Sequence, residues 1–148
     1  VPECEIKLPC EMAIPETYIE DPSMRLEVYR RFSASSTPEQ VDVLMAGLKD
    51  QYGDPPLEVY VLAELTTVRI AARRLALTVL EFKNNTLTAT FHNSTPVKPD
   101  KIMGMLMKAP NKYQFNPPSS LFIRMSGVKG NELIRKTRDE LETIVKMC

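Results

Sequence analysis

The hydrophobic pattern changes period once, near residue 77, and that change fixes the class of fold open to the chain. Before it, apolar residues recur at helical spacing. Val41, Leu44, Met45, Leu48 and Tyr52 follow at i, i+3, i+4, i+7 and i+11, the signature of an amphipathic helix. After it, Thr78 to His92 alternates with a period of two about Asn84-Asn85, a pair that tolerates positive φ in a two-residue hairpin turn. Helices first and strands afterwards imply an α+β fold.

Proline and capping residues place the elements. Glu5-Ile-Lys-Leu8 reads as a short strand, and Pro9, Pro15 and Pro22 keep the segment after it extended or turning. Asp21-Pro22 is an N-cap followed by a first helical residue. Met24, Val28 and Phe32 form one apolar row there, with Leu26 and Tyr29 beside it, until Ser35-Ser36 breaks the helix. Thr37-Pro38-Glu39-Gln40 is a capping box for a second helix, closed by Gly53. A third, of about twenty residues, starts after Asp54-Pro55-Pro56 and carries Val61, Leu65, Val68, Ala72 and Leu75. In the hairpin, Phe82 faces Leu87, Leu80 faces Ala89 and Thr78 faces Phe91, with Val79, Glu81, Lys83, Thr86, Thr88 and Thr90 on the wet side. A fourth helix from Pro99 carries Ile102, Met103, Leu106 and Met107. Strands follow at Tyr113–Phe115 and Leu121–Met125. A last helix near Asn131 to Met147 buries Ile134, Thr137, Leu141, Ile144 and Val145. The expected order is a short strand, three helices, a β-hairpin, a helix, further strands and a C-terminal helix in one compact domain.

Composition excludes more than it suggests. With 43% hydrophobic and 26% charged residues, the chain has the make-up of a globular domain rather than a disordered tail. Its 19 basic and 19 acidic residues cancel, whereas a stand-alone nucleic-acid binder carries a basic excess to neutralise phosphates. No apolar run approaches the ~20 residues that span a bilayer, so a soluble cytoplasmic protein with no membrane partner is expected. Cys4, Cys10 and Cys148 read as reduced thiols. The opening Val1-Pro2 lacks an initiator Met, which suggests a domain cut from a longer polypeptide.

Groups for catalysis are few. His92 is the only histidine, and Gly47, Gly53, Gly104, Gly127 and Gly130 stand singly, so no Gly-rich phosphate loop can be assembled. No catalytic residue, cofactor-binding residue or metal ligand is assigned. An enzymatic reading needs a cleft holding His92 or Asp50 with a buried acidic partner. Arg25, Arg30 and Arg31 on the first helix, with Arg69, Arg73 and Arg74 on the third, read either as a phosphate or carboxylate contact or as solvated faces with buried stems.

Several runs then carry a resemblance. Glu5-Ile-Lys-Leu8, Ile14-Pro-Glu-Thr-Tyr-Ile-Glu-Asp21, Arg25-Leu-Glu-Val-Tyr-Arg-Arg31 and Leu48-Lys-Asp-Gln-Tyr-Gly-Asp-Pro-Pro56 resemble, in order and without gaps, the C-terminal domain of the bacterial transcription-repair coupling factor. The resemblance extends through the Leu62-to-Leu75 helix, Leu80-Glu81 and Leu121. It implies that residues 1–148 are a C-terminal regulatory domain of a larger ATP-dependent DNA translocase that displaces stalled RNA polymerase and recruits nucleotide excision repair. ATP and Mg would belong to the parent's motor modules, with none in this domain. The implied partner is an N-terminal module of the same polypeptide resembling the excision-repair damage-verification protein, and packing there masks the surface that recruits the lesion-recognition ATPase. The family's contact is associated with an acidic pair near the end of the second helix. Asp50 and Gly53 match that pattern, Tyr52 replaces Phe, Gly47 replaces the Glu and Gln51 replaces the Arg. Ala76 stands where the family usually has a helix-ending Gly, so the third helix is expected to end differently.

Overall fold

The first two helices start where a capping side chain and a proline make the first turn inexpensive. In the computed structural model, which describes residues 3–148 (Val1 and Pro2 of the opening segment lie outside the described residues), α1 spans Pro22–Ala34 and α2 spans Pro38–Tyr52. Asp21 caps α1 by accepting from the Ser23 N–H at 2.9 Å, and Thr37 caps α2 by accepting from the Gln40 N–H at 3.2 Å. The reciprocal arm of the expected capping box lands one residue earlier. The Gln40 side-chain oxygen accepts from the Ser36 N–H at 2.8 Å instead of from Thr37.

The chain divides into two compact units, one of Cys10–Ile70 and one of residues 3–9 with Ala71–Cys148. The first unit is helical. Val28 and Phe32 of α1 and Val41 and Leu48 of α2 are buried with Ile14, Ile19, Val59 and Leu62 in one cluster, against which Tyr18, Tyr29 and Tyr52 pack. Leu26, read as flanking the α1 row, is exposed.

The second unit is built on a five-stranded sheet. Its strands are β1 (Glu5–Lys7), β2 (Leu77–Lys83), β3 (Thr86–Phe91), β4 (Tyr113–Asn116) and β5 (Ser120–Arg124), in the order β1-β2-β3-β5-β4. Only β1 and β2 run parallel. Asn84 and Asn85 take φ of 53° and 57° at the hairpin turn, so both residues carry the positive φ that such a turn demands. The pairs Phe82–Leu87 and Leu80–Ala89 form as read. Thr78 does not face Phe91. Leu77 does, and the register slips between Leu77 and Val79. This irregularity keeps Leu77 fully buried and lets the Thr78 hydroxyl donate to the Thr90 carbonyl at 3.3 Å.

α3 (Leu57–Arg74) buries Val61, Val68 and Ala72 of the expected row, and Leu75 just past its end is also buried. Its end corrects the sequence reading. Ala76 adopts the left-handed conformation, φ 53°, in the position where the resemblance implied Gly. Its N–H donates to the Arg73 carbonyl and its own carbonyl accepts from the His92 N–H at 2.7 Å. The buried methyl of Ala76 offsets part of the strain of about 1 kcal/mol that a side chain brings there. α4 (Pro99–Lys108) is rotated from its expected face. Ile102 and Met105 are buried, whereas Met103 and Met107 are exposed. α5 (Asn131–Val145) buries Leu133, Ile134, Thr137, Leu141 and Ile144, with Val145 only half-buried. No helix among the described residues is long and apolar enough to cross a membrane.

Candidate partner-binding surfaces

The end of α2 is held in place by an aromatic side chain from far along the chain. The Tyr18 hydroxyl lies 2.8 Å from the Gly53 carbonyl oxygen and 3.1 Å from that of Leu48. Its ring sits 5.7 Å from the ring of Tyr52. Gly53 turns the chain with φ 85° and ψ −172°, a region that a side chain makes costly, and Lys49 pairs with Asp54 at 3.6 Å across that turn. Burial, then the proximity of Tyr60, Asp54 and Tyr52, raises the Tyr18 pKa above its ordinary value. The phenol therefore stays a donor throughout the neutral range.

This anchoring turns Leu48 and Tyr52 inward and leaves the three candidate residues outside. Gly47, Asp50 and Gln51 are all exposed. Val43, Ala46, Gly47 and Asp50 follow at helical spacing along the wet side of α2, and Val43 is 72% exposed. Asp50 makes no ion pair among the described residues. The resulting surface is a low ridge, with no side chain at Gly47 and nothing within 4 Å of where one would stand. At the start of α3, Leu57 and Tyr60 are also exposed, and exposed aromatic and apolar side chains of this kind supply contact area at interfaces. Sequence reasoning passed over Tyr18, Leu57 and Tyr60. The Tyr18 hydrogen bonds span 30 and 35 residues, so no local spacing announces them.

The α1 arginines have different surroundings. The Arg25 guanidinium donates to the Ile19 and Glu20 carbonyls, both at 2.8 Å, and lies 3.9 Å from Glu16. Its role is to tie the preceding loop to the helix. Arg31 pairs with Glu27 one turn earlier at 3.5 Å, and Arg30 is exposed. The unit around them, Cys10–Ile70, contains eleven acidic and five basic residues, a net −6 that opposes binding to a polyanion.

The sheet unit contains a cavity of about 580 Å³, lined on its apolar side by Phe91, Val97, Ile102, Met103 and Phe115. His92 lies on its wall. The His92 Nδ1 accepts from the Ser94 N–H at 3.1 Å and meets the Ser94 hydroxyl at 2.7 Å, so the proton of the neutral ring belongs on Nε2. No carboxylate lines this cavity, and Asp50 stands exposed on the other unit. No hydrogen bond or ion pair among the described residues joins either residue to an acid. Among the described residues, no three His, Cys, Asp or Glu side chains gather in a metal-binding group.

Comparison with known proteins assigns this chain to a family. It is 34% identical to the transcription-repair-coupling factor of Myxococcus xanthus over 96% of its own length. Against the protein of that name from Borreliella burgdorferi it is 28% identical over 89%, and against that from Escherichia coli 25% over 80%. It spans only 12%, 12% and 10% of those proteins. Its fold matches the crystal structure of the C-terminal domain of a transcription-repair coupling factor with a TM-score of 0.84, at 20% identity, covering 99% of this chain and 94% of that one. Residues 8–102 match the TRCF domain itself, and the chain belongs to that family.

Proposed function

We propose that this chain is a non-catalytic, autoinhibitory interaction domain of a larger ATP-dependent DNA translocase. It docks through the outer face of α2 onto an N-terminal module of the same polypeptide. The observation that carries this reading is the α2 surface. Gly47, Asp50 and Gln51 are exposed on a helix end that Tyr18 and Gly53 hold in place, and among the described residues Asp50 makes no ion pair. Such a carboxylate on a helix end so held is suited to a basic contact on a partner, which it recognises at little further cost in ordering. ATP and Mg belong to the motor modules of the parent, as do the contacts with DNA and RNA polymerase. Occupation of the N-terminal module would withhold it from the lesion-recognition ATPase. The parent works in the cytoplasm.

The test is a pull-down of this chain with the parent's N-terminal segment, comparing the native chain with Asp50→Ala. A rim charge of this kind contributes on the order of 0.2–1 kcal/mol, so weakened capture and reduced salt sensitivity are expected. Equal capture at every salt concentration moves the contact off α2. ATP hydrolysis by the purified chain would overturn the non-catalytic assignment.

A further inference from the structure

The zero net charge of the chain hides a strong segregation. Between Glu81 and Glu132 lie seven basic residues and a single acid, Asp100. Two of the seven, Lys83 and Arg124, stand across one end of the sheet. Lys83 of β2 pairs in register with Thr86 of β3, Thr86 pairs with Arg124 of β5, and the Arg124 N–H donates to the Lys112 carbonyl beside β4 at 2.8 Å. The next row of the same face runs Gln114, Phe122, Thr88 and Glu81, with Lys7 in register beyond. The row after it holds Asn116, Ser120, Thr90 and Val79, with the acid Glu5 in register beyond. These side chains are half-buried or exposed, while Leu80, Leu87, Ala89, Leu121 and Ile123 on the opposite face are fully buried. One side of the sheet is thus an open, polar platform with one aromatic ring at its centre and cations along one end.

A hollow of about 220 Å³ lies on this platform, lined by Thr86, Lys112, Tyr113, Gln114, Phe122 and Arg124. Lys112 pairs with Glu140 and stands 5.1 Å over the Tyr113 ring, whose hydroxyl also meets Glu140 and which shares the side of Ile123, so its charge is answered away from Phe122. Lys83 and Arg124 make no ion pair among the described residues.

We propose that this face of the sheet binds single-stranded nucleic acid, with a base stacked on Phe122, its edge against Gln114 or Thr88, and phosphates along Arg124 and Lys83. The spacing of cations around one aromatic platform is the pairing of groups that a single strand needs. Its bases are free to stack on a ring and its backbone is polyanionic. In a duplex the bases already stack on one another and leave a central phenyl ring without a partner. Glu81, two strands away on the Phe122 row, bounds the cationic patch on its far side. The platform is distinct from α2 and lies within the other unit.

The experiment is fluorescence anisotropy of labelled dT15 and U15 titrated with the 148-residue chain at low salt, repeated at tenfold higher salt. Neutralising about two phosphates predicts that affinity falls about 25-fold across that range. Phe122→Ala should weaken binding about fivefold or more, Phe122→Tyr should restore it, and Lys83→Glu or Arg124→Glu should flatten the salt dependence. Unchanged thermal unfolding of each variant separates these effects from loss of the fold. A preference for U15 or dT15 assigns the strand as RNA or DNA, and either supports the proposal. It is overturned by no binding up to about 10⁻⁴ M protein at low salt. It is equally overturned by tighter binding to a duplex of the same length, by equal binding to a glutamate 15-mer, or by variants that bind as the native chain does.

Discussion

Thr137 is the most informative single position for testing the packing of the sheet unit. Its side chain is fully buried on α5, and among the described residues its Oγ1 is a buried polar atom without a hydrogen-bond partner. An orphaned buried hydroxyl costs about 1–3 kcal/mol. Thr137→Val exchanges it for a methyl of nearly the same size, which adds about 0.8 kcal/mol of apolar burial and opens no cavity. Both residues are β-branched with similar helix propensity, so the rotamer and backbone terms nearly cancel. A net stabilisation of about 1–2 kcal/mol is expected, discounted from the sum because single contributions rarely add in full. For a chain of this length that raises Tm by roughly 3–6 °C. Thr137→Ser provides the opposite case. It keeps the hydroxyl, loses a buried methyl and should destabilise by about 1 kcal/mol. Urea and thermal unfolding read both. If Thr137→Val is neutral or destabilising, the hydroxyl has a hydrogen-bond partner and the accounting is wrong.

Three further outcomes follow from particular positions. Gly53→Ala should cost about 1–3 kcal/mol from backbone strain alone, because nothing lies within 4 Å of the added carbon; chemical denaturation measures it, and a neutral result would mean that the turn relaxes freely. Gly47→Glu should stabilise α2 by about 0.5 kcal/mol, as the helix-propensity gain exceeds repulsion from Asp50, and should strengthen capture by the N-terminal segment in the pull-down. The Cys4 thiol is pushed up to about 11 from 9.0, by burial and then by Glu5, so its alkylation rate, followed by mass spectrometry, should keep climbing past pH 10 instead of levelling near 9. Because the folded chain holds that proton more tightly than the unfolded one, the associated stability is complete below pH 9 and is lost between 9 and 11.

Much of the fold was legible because its signals are local. Asp21-Pro22, Thr37-Pro38 and Asn84-Asn85 each act within a few residues, and periodicity then set most of the buried faces. The errors arose where tertiary packing overrode a local rule. Ala76 accepts left-handed backbone where its buried methyl and the His92 N–H hold it. Thr78 yields its place opposite Phe91 to Leu77 because the core gains a fully buried leucine. On α4, Met105 is buried and Met103 is not, since methionine appears at three alternating positions and hydrophobicity alone cannot choose among them. For the candidate site, sequence supplied Gly47, Asp50 and Gln51, whereas Tyr18, which fixes their setting, acts over too long a separation to be read.

Net charge was the least informative quantity, and the reason is physical. Fields at a surface depend on where charges lie within roughly a Debye length, about 10 Å at moderate salt, so a zero sum over the whole chain says little about the charge near any one surface. The helical unit as a whole carries −6, and residues 82–131 carry +6. A polyanion is therefore repelled from the surface that bears Asp50 and attracted to the sheet, while a basic protein partner experiences the reverse. The two contacts should consequently respond to different substitutions. Asp50→Ala should alter capture of the N-terminal segment without changing dT15 binding, and Lys83→Glu should do the opposite. A single substitution that weakened both equally would mean that the two surfaces are one.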